Sequence, residues 1–230
     1  MNVITVHKGT EYKKLREWKR SNAPSPQNIR YDNLDGVVRW AMLKKLIEEQ
    51  GGLCAYTMKP ITSSGGGWQA HIEHILPISN HPGQSVEWDN LLACVPQPGV
   101  ACDYGAVRKG AYDPTKDPFV NPTRGGVSTQ FRFRDNGLVD GLTPDAVATA
   151  SAAVLNLNHT DLVNDRRSKI KGALERKPTA SDALRRAQAL RKPDRNGNLE
   201  PYCEAVAQVL ENYAQRLGSR AGRVAGAIRP

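Results

Sequence analysis

The stretch Ala70-His71-Ile72-Glu73-His74-Ile75-Leu76-Pro77 sets an acid directly before an imidazole, with a second imidazole close upstream. A carboxylate is a hard oxygen ligand for Mg²⁺ or Mn²⁺. A neutral imidazole, with an unperturbed pKa of about 6.5, takes a proton from water near neutral pH. Together they suit metal-assisted hydrolysis, with His74 as base and Glu73 as ligand. On a strand His74 and Ile72 share one face while His71 and Glu73 share the other. Backbone twist and the strand-ending Pro77 must then bring Glu73 and His74 to one site. An ordinary surface pair of histidines beside an acid has the same composition, and the stretch alone does not separate the two readings.

The residues downstream do. Trp88-Asp89-Asn90-Leu91-Leu92 follows after a polar loop, then Cys94, then Cys102-Asp103. In this order the chain resembles the HNH, or ββα-metal, nucleases, whose core runs acid-His-Ile-x-Pro, then Asn-Leu, then Cys-x-x-Cys-Asn on a closing helix. The corresponding parts are Glu73-His74-Ile75-Leu76-Pro77, Asn90-Leu91 and Cys102-Asp103. Glu49-Gln50-Gly51-Gly52-Leu53-Cys54-Ala55-Tyr56 before this core, and Ala153-Val154-Leu155-Asn156-Leu157-Asn158 with Arg166 after it, resemble a narrower family. These are the HNH subunits of Septu-type and retron-associated antiphage systems, and the likeness covers most of residues 34–170.

The resemblance implies an endonuclease that cuts the phosphodiester bonds of DNA and works beside an ATPase related to ABC and SMC ATPases. It assigns the general base to His74, a metal ligand to Glu73, and a loop-bracing role to Asn90 that keeps the histidine oriented. Asp103 falls where the family has its last metal ligand, with Asp113 as the fallback. His71 is a further candidate ligand, or an ordinary strand histidine. In the implied mechanism Glu73 and Asp103 hold one Mg²⁺ or Mn²⁺ while His74 deprotonates the attacking water. Arg108 and Lys109 are placed to touch backbone phosphate, or form a solvated basic pair.

The cysteines depart from the family pattern. Relatives hold a structural zinc with two Cys-x-x-Cys pairs, whereas here Thr57 stands where the second thiolate of Cys54 would be. The second pair is stretched to Cys94 and Cys102, with seven residues between them. Cys54, Cys94 and Cys102 could hold Zn²⁺ with a fourth ligand from elsewhere, or be small buried thiols that pack the knuckle.

These residues need elements to position them. Glu11–Arg20 reads as a short helix and 34–50 as an amphipathic one, with Val37, Val38, Trp40, Ala41, Leu43, Leu46 and Ile47 at helical spacing and Gly51-Gly52 as its stop. Ser63-Ser64-Gly65-Gly66-Gly67 reads as loop and 69–76 as a strand. A further short element starts at Trp88 and runs to Cys94, and a hairpin over 131–139 turns at Asn136-Gly137. Thr143 caps a helix that runs to about Leu155. Further helices span Thr160 to about Glu175, Ala180 to Leu190, and Pro201 to about Leu217. His159 reads as a cap or turn residue. The expected class is α+β: a central ββα-metal core between helical flanks. Its divisions are an N-terminal arm and helix (1–33), the nuclease core with its lead-in helix and hairpin (34–142), and a helical region for partner or nucleic-acid contacts (143–230).

The 230-residue chain carries a formal net charge of +9, which favours a polyanionic partner. The basic residues Arg166, Arg167, Lys169, Lys171, Arg185, Arg186, Arg191 and Lys192 could extend a nucleic-acid track, or be solvated helix faces. No apolar run approaches the ~18 residues that span a bilayer, so no membrane is expected. Met1–Lys8 has no apolar leader, which leaves the cytoplasm as the default compartment and the cysteines as thiols or ligands. Two rival readings remain open: an RNA-cutting HNH effector, for example one acting on tRNA, and a catalytically inactive zinc-knuckle subunit that binds nucleic acid or a partner.

Overall fold

The computed structural model describes residue 6 and residues 8–227, so most of Met1–Lys8 lies outside the described residues. The architecture mixes α-helices with small antiparallel sheets, as expected for an α+β chain. Among the described residues, no helix is long and apolar enough to cross a membrane.

Helix α1 (Lys13–Ser21) buries Leu15. Helix α2 (Gly36–Glu49) begins where the Asp35 carboxylate accepts from Val38 N at 2.8 Å, an N-cap that satisfies an otherwise orphaned amide. It buries Val38, Met42, Leu46 and Ile47. Val37 and Trp40, counted in the expected stripe, face solvent at 70% and 50% exposure. The short strands β1 (Ser63–Ser64) and β2 (Gly67–Trp68) pair over Gly65-Gly66, where the sequence suggested only a loop.

Strand β3 (His71–His74) pairs antiparallel with β4 (Leu91–Cys94), in the register His71↔Cys94, Ile72↔Ala93, Glu73↔Leu92 and His74↔Leu91. The connection between them, residues 75–90, is a long loop with two 3₁₀ turns. Helix α3 (Gly105–Lys109) follows β4, so the chain runs strand, loop, strand, helix through this centre. Gln50, wholly buried at the end of α2, anchors the arrangement. Its amide donates to Leu53 O and Ala93 O, and its carbonyl accepts from Ala93 N. One side chain thus ties the lead-in helix to β4, and leaving any of these buried backbone groups unpaired would cost ~1–3 kcal/mol.

The expected hairpin forms from β5 (Phe131–Phe133) and β6 (Val139–Gly141). Its turn needs Gly137, whose φ is +88° and where an added Cβ would meet Val163 O at 2.3 Å. Only glycine combines that backbone angle with so close an approach. Helix α4 (Pro144–Ala150) starts as read, with Thr143 accepting from Ala146 N, but it is shorter than expected. The chain folds back after Ala150: Leu155 N bonds Thr149 O, Leu157 N bonds Ala150 O, and Asn156 adopts a positive φ.

Helices α5 (Thr160–Leu174), α6 (Ala180–Leu190) and α7 (Cys203–Ala227) complete the chain, α7 running beyond the expected end near Leu217. His159 caps α5 by accepting from Asp161 N at 3.3 Å. The main core joins α2, the β3–β4 pair, the hairpin and the start of α7, while a smaller cluster packs Ile170, Ala183, Ala187 and Leu210 between the last helices.

Candidate functional site

His74 ends β3 with its ring buried, and its Nε2 lies 2.9 Å from the carbonyl oxygen of Ser85. A carbonyl only accepts, so Nε2 carries the proton and the lone pair resides on Nδ1. No hydrogen bond reaches Nδ1 among the described residues, and that atom is not sealed from solvent. Burial pushes the imidazole below its usual pKa, against the Ser85 bond and the nearby Glu73 charge, which work upward. The ring is therefore held neutral at pH 7, in the form a base requires.

The carbonyl that orients it is itself fixed. Ser85 is 1% exposed and its hydroxyl accepts from Tyr31 N, while the Tyr31 ring meets the His74 ring edge-on at 4.8 Å. Asn90 closes the loop: its carbonyl accepts from Leu76 N at 2.7 Å, and its amide donates to Leu76 O and Gln84 O. Farther out, the Asp113 carboxylate accepts from Asn80, His81, Thr115 N and Thr115 Oγ1. Burial works against its ionisation, but these bonds outweigh it and hold Asp113 well below the usual carboxylate range. Asp113, the fallback ligand, is thus engaged as a clamp on the loop.

Glu73 points to the other face of β3, with the side chain 13% exposed. Lys109 Nζ lies 3.0 Å from its Oε1 and 2.9 Å from His74 O. The ion pair is close but poorly aligned: Oε1 is sealed from solvent and accepts no hydrogen bond, while the ammonium's aligned bond goes to the His74 carbonyl. Lys109, in the sequence a candidate phosphate contact or half of a solvated basic pair, is neither: its side chain is wholly buried. Its charge faces the acid, away from solvent. Tyr56 packs nearby with its hydroxyl also sealed and unpartnered, and burial, reinforced by the Glu73 charge, pushes its pKa well up.

His71 shares the face of Glu73, as strand alternation requires. Its Nδ1 is 2.6 Å from Pro96 O, so in the neutral ring the proton sits there and the Nε2 lone pair faces Glu73 Oε2 at 3.9 Å. Two lone-pair atoms so placed call for a positive species between them, either a proton or a cation. Burial alone would lower the His71 pKa, but the Glu73 carboxylate and the Pro96 bond raise it overall. For a divalent ion, one imidazole nitrogen and one carboxylate oxygen are a fitting partial ligand set, since Mg²⁺ keeps several waters and commonly takes only one or two protein carboxylates.

Asp103 does not join this pair. Its carboxylate is exposed and bonds Arg108 Nη1 at 3.0 Å, and its carbonyl accepts from Asn156 Nδ2. Arg108 also donates to Ala152 O, so both residues tie the start of α3 to the segment after α4. Cys54 and Cys94 are both buried, with Cys94 and Thr57 beside the Cys54 thiol. Cys102 stands apart and donates to Tyr104 O. Among the described residues, no group of three or more His, Cys, Asp or Glu side chains is arranged to hold a metal ion.

The basic track is smaller than the sequence suggests. Arg166 is 2% exposed and donates to Gly137 O and Leu157 O, bracing the hairpin turn. Arg191 is chelated by Glu204 and Glu211, and Arg186 donates to Ala173 O. Arg166 and Arg191 are structural; Arg186 remains exposed despite its main-chain bond, as do Arg167, Lys169, Lys171, Arg185 and Lys192.

Tyr31, Ser85, Gln50 and Tyr56 were not singled out from the sequence. Ser85 acts through its backbone, which no side-chain pattern reveals, and Tyr31 lies in a segment without periodicity. Compared with models of known protein families the chain matches none, and no curated protein matches it either.

Proposed function

We propose that the chain is a metal-dependent HNH endonuclease that hydrolyses phosphodiester bonds, with DNA as its substrate. One observation carries the reading: a neutral histidine at the end of β3, oriented through Nε2 by a loop carbonyl, with the loop closed by the Asn90 side chain. That is the base-and-orienter arrangement general-base catalysis needs, formed by the two residues that the resemblance names for it. The strand, loop, strand, helix order around them suits a ββα core.

In this reading Nδ1 of His74 takes the proton of a water attacking the phosphorus, while Nε2–H keeps its bond to Ser85 O. The nearby Glu73 carboxylate favours the developing imidazolium, and the Lys109 ammonium opposes it. His71 Nε2 and Glu73 Oε2 would hold the Mg²⁺ or Mn²⁺, and Asp103 would have to leave Arg108 to join them. When bound, the cation supplies charge stabilisation to the phosphoryl and departing oxygens. The net charge of +9 supports a polyanionic substrate. An ABC- or SMC-like ATPase partner and an antiphage role come from the resemblance to Septu-type and retron-associated subunits, and would keep the isolated chain's turnover low.

A second reading has its own support. Lys109 already neutralises Glu73, and Asp103 is spent on Arg108, as a non-catalytic subunit that binds nucleic acid or a partner could also show. Incubating the folded chain in excess over end-labelled DNA and RNA, with Mg²⁺ or Mn²⁺, separates these. Cleaved DNA supports the proposal; cleaved RNA alone moves the substrate to RNA; binding without cleavage, with and without an ATPase partner, favours the second reading.

A further inference from the structure

Lys109 is the least expected member of the site. A lysine side chain with no exposed surface is uncommon, because burying an ammonium costs several kcal/mol unless it is paired. Here it is paired asymmetrically. It donates to the main-chain carbonyl of His74 at 2.9 Å and stands 3.0 Å from Glu73 Oε1, on the side of the carboxylate away from His71. Oε1 accepts no hydrogen bond and is sealed, whereas Oε2 faces the Nε2 of His71 at 3.9 Å. One carboxylate therefore meets a fixed cation at one oxygen and an open lone-pair donor at the other.

We propose that Glu73 is a divided carboxylate: Lys109 occupies Oε1 permanently and leaves Oε2 with His71 Nε2 as the mount for a divalent cation, so that Lys109 sets how tightly that cation is held. This rests on the metal-dependent reading above and deepens it. The physics is direct. A unit positive charge fixed within a few ångströms of a divalent ion repels it, and in a buried site that repulsion is weakly screened. The ammonium thus weakens cation binding while keeping the carboxylate aimed. It also donates to the carbonyl of the base itself, so Glu73 and His74 are held by the same group. Lys109 is a positioning residue in this scheme, and the cation touches only His71 and Glu73.

The test is Mn²⁺ affinity, read by electron paramagnetic resonance on wild type, Lys109→Met, Lys109→Arg, His71→Ala and Glu73→Gln. Wild type should bind one Mn²⁺ weakly. Lys109→Met should bind it at least about tenfold more tightly, Lys109→Arg should stay near wild type, and His71→Ala and Glu73→Gln should each lose the site. Mn²⁺ bound with the same affinity by wild type and Lys109→Met overturns the inference alone. A wild-type protein that binds no Mn²⁺ overturns the metal-dependent reading as well. Should Lys109→Met fail to fold, ¹³C-labelled lysine in the wild type decides: saturating Mg²⁺ must shift the Lys109 Cε resonance, and an unmoved resonance rejects a shared carboxylate.

Discussion

The Nε2 of His74 and the carbonyl oxygen of Ser85 stand 2.9 Å apart across the loop that joins β3 to β4. That bond fixes the tautomer of the imidazole and turns its lone pair away from the loop. The loop holds its shape because Asn90 bonds it at both ends, at Leu76 and at Gln84, and because Asp113 clamps Asn80 and His81. The orientation of the His74 ring is thus a property of the loop as much as of the histidine.

Asn90→Asp should harm both stability and turnover. The change keeps an acceptor for Leu76 N but turns the donor toward Leu76 O and Gln84 O into a second acceptor. Two part-buried carbonyls then face a carboxylate, at a cost of about 1–2 kcal/mol. Urea denaturation measures the first effect. Turnover of the remaining folded protein should fall about 10²-fold, because small displacements of a base are costly. Wild-type turnover in a destabilised variant would separate the loop from catalysis.

Arg166→Met should destabilise the protein by about 2–4 kcal/mol without weakening nucleic-acid binding. The guanidinium is buried and spent on Gly137 O and Leu157 O, which methionine leaves unpaired. The salt dependence of DNA affinity reports the number of phosphate contacts, and its slope should not change. A reduced slope would place Arg166 on the phosphate track after all.

Stability should fall steeply in acid because of Asp113. Its folded pKa lies well below the unfolded value of about 3.9, so its contribution is complete above that value and is lost as pH drops through the folded pKa. Thermal unfolding from pH 7 down to pH 2.5 should show the wild-type loss opening near pH 4. Asp113→Asn should start less stable and lose less over that window. Parallel curves for the two proteins would contradict the clamp.

Much of this site was legible in the sequence, for identifiable reasons. Local chemistry announced itself: Gly51 stops α2, Thr143 starts α4, and Asn136-Gly137 turns the hairpin, because caps and turns depend on the residue in place. The pairing of His71 with Glu73 follows from strand alternation. What escaped depends on tertiary placement. Lys109 and Arg166 look like surface charges in any window, and only packing turns them inward. The partner of Asp103 is Arg108 in the short helix that follows it, a contact that spacing permitted but did not favour over a metal. Trp40 read as core because period alone cannot tell which stripe of α2 meets the sheet. The Ser85 carbonyl was invisible, since every residue has one.

The most direct measurement compares phosphodiester hydrolysis by wild type and His74→Ala under single-turnover conditions, on whichever nucleic acid wild type cuts, with circular dichroism confirming that both are folded. The account predicts a rate lower by about 10²–10⁴-fold in the variant, with nucleic-acid binding retained. Equal cleavage by the two folded proteins would contradict it, because the imidazole at the end of β3 would then take no part in the reaction.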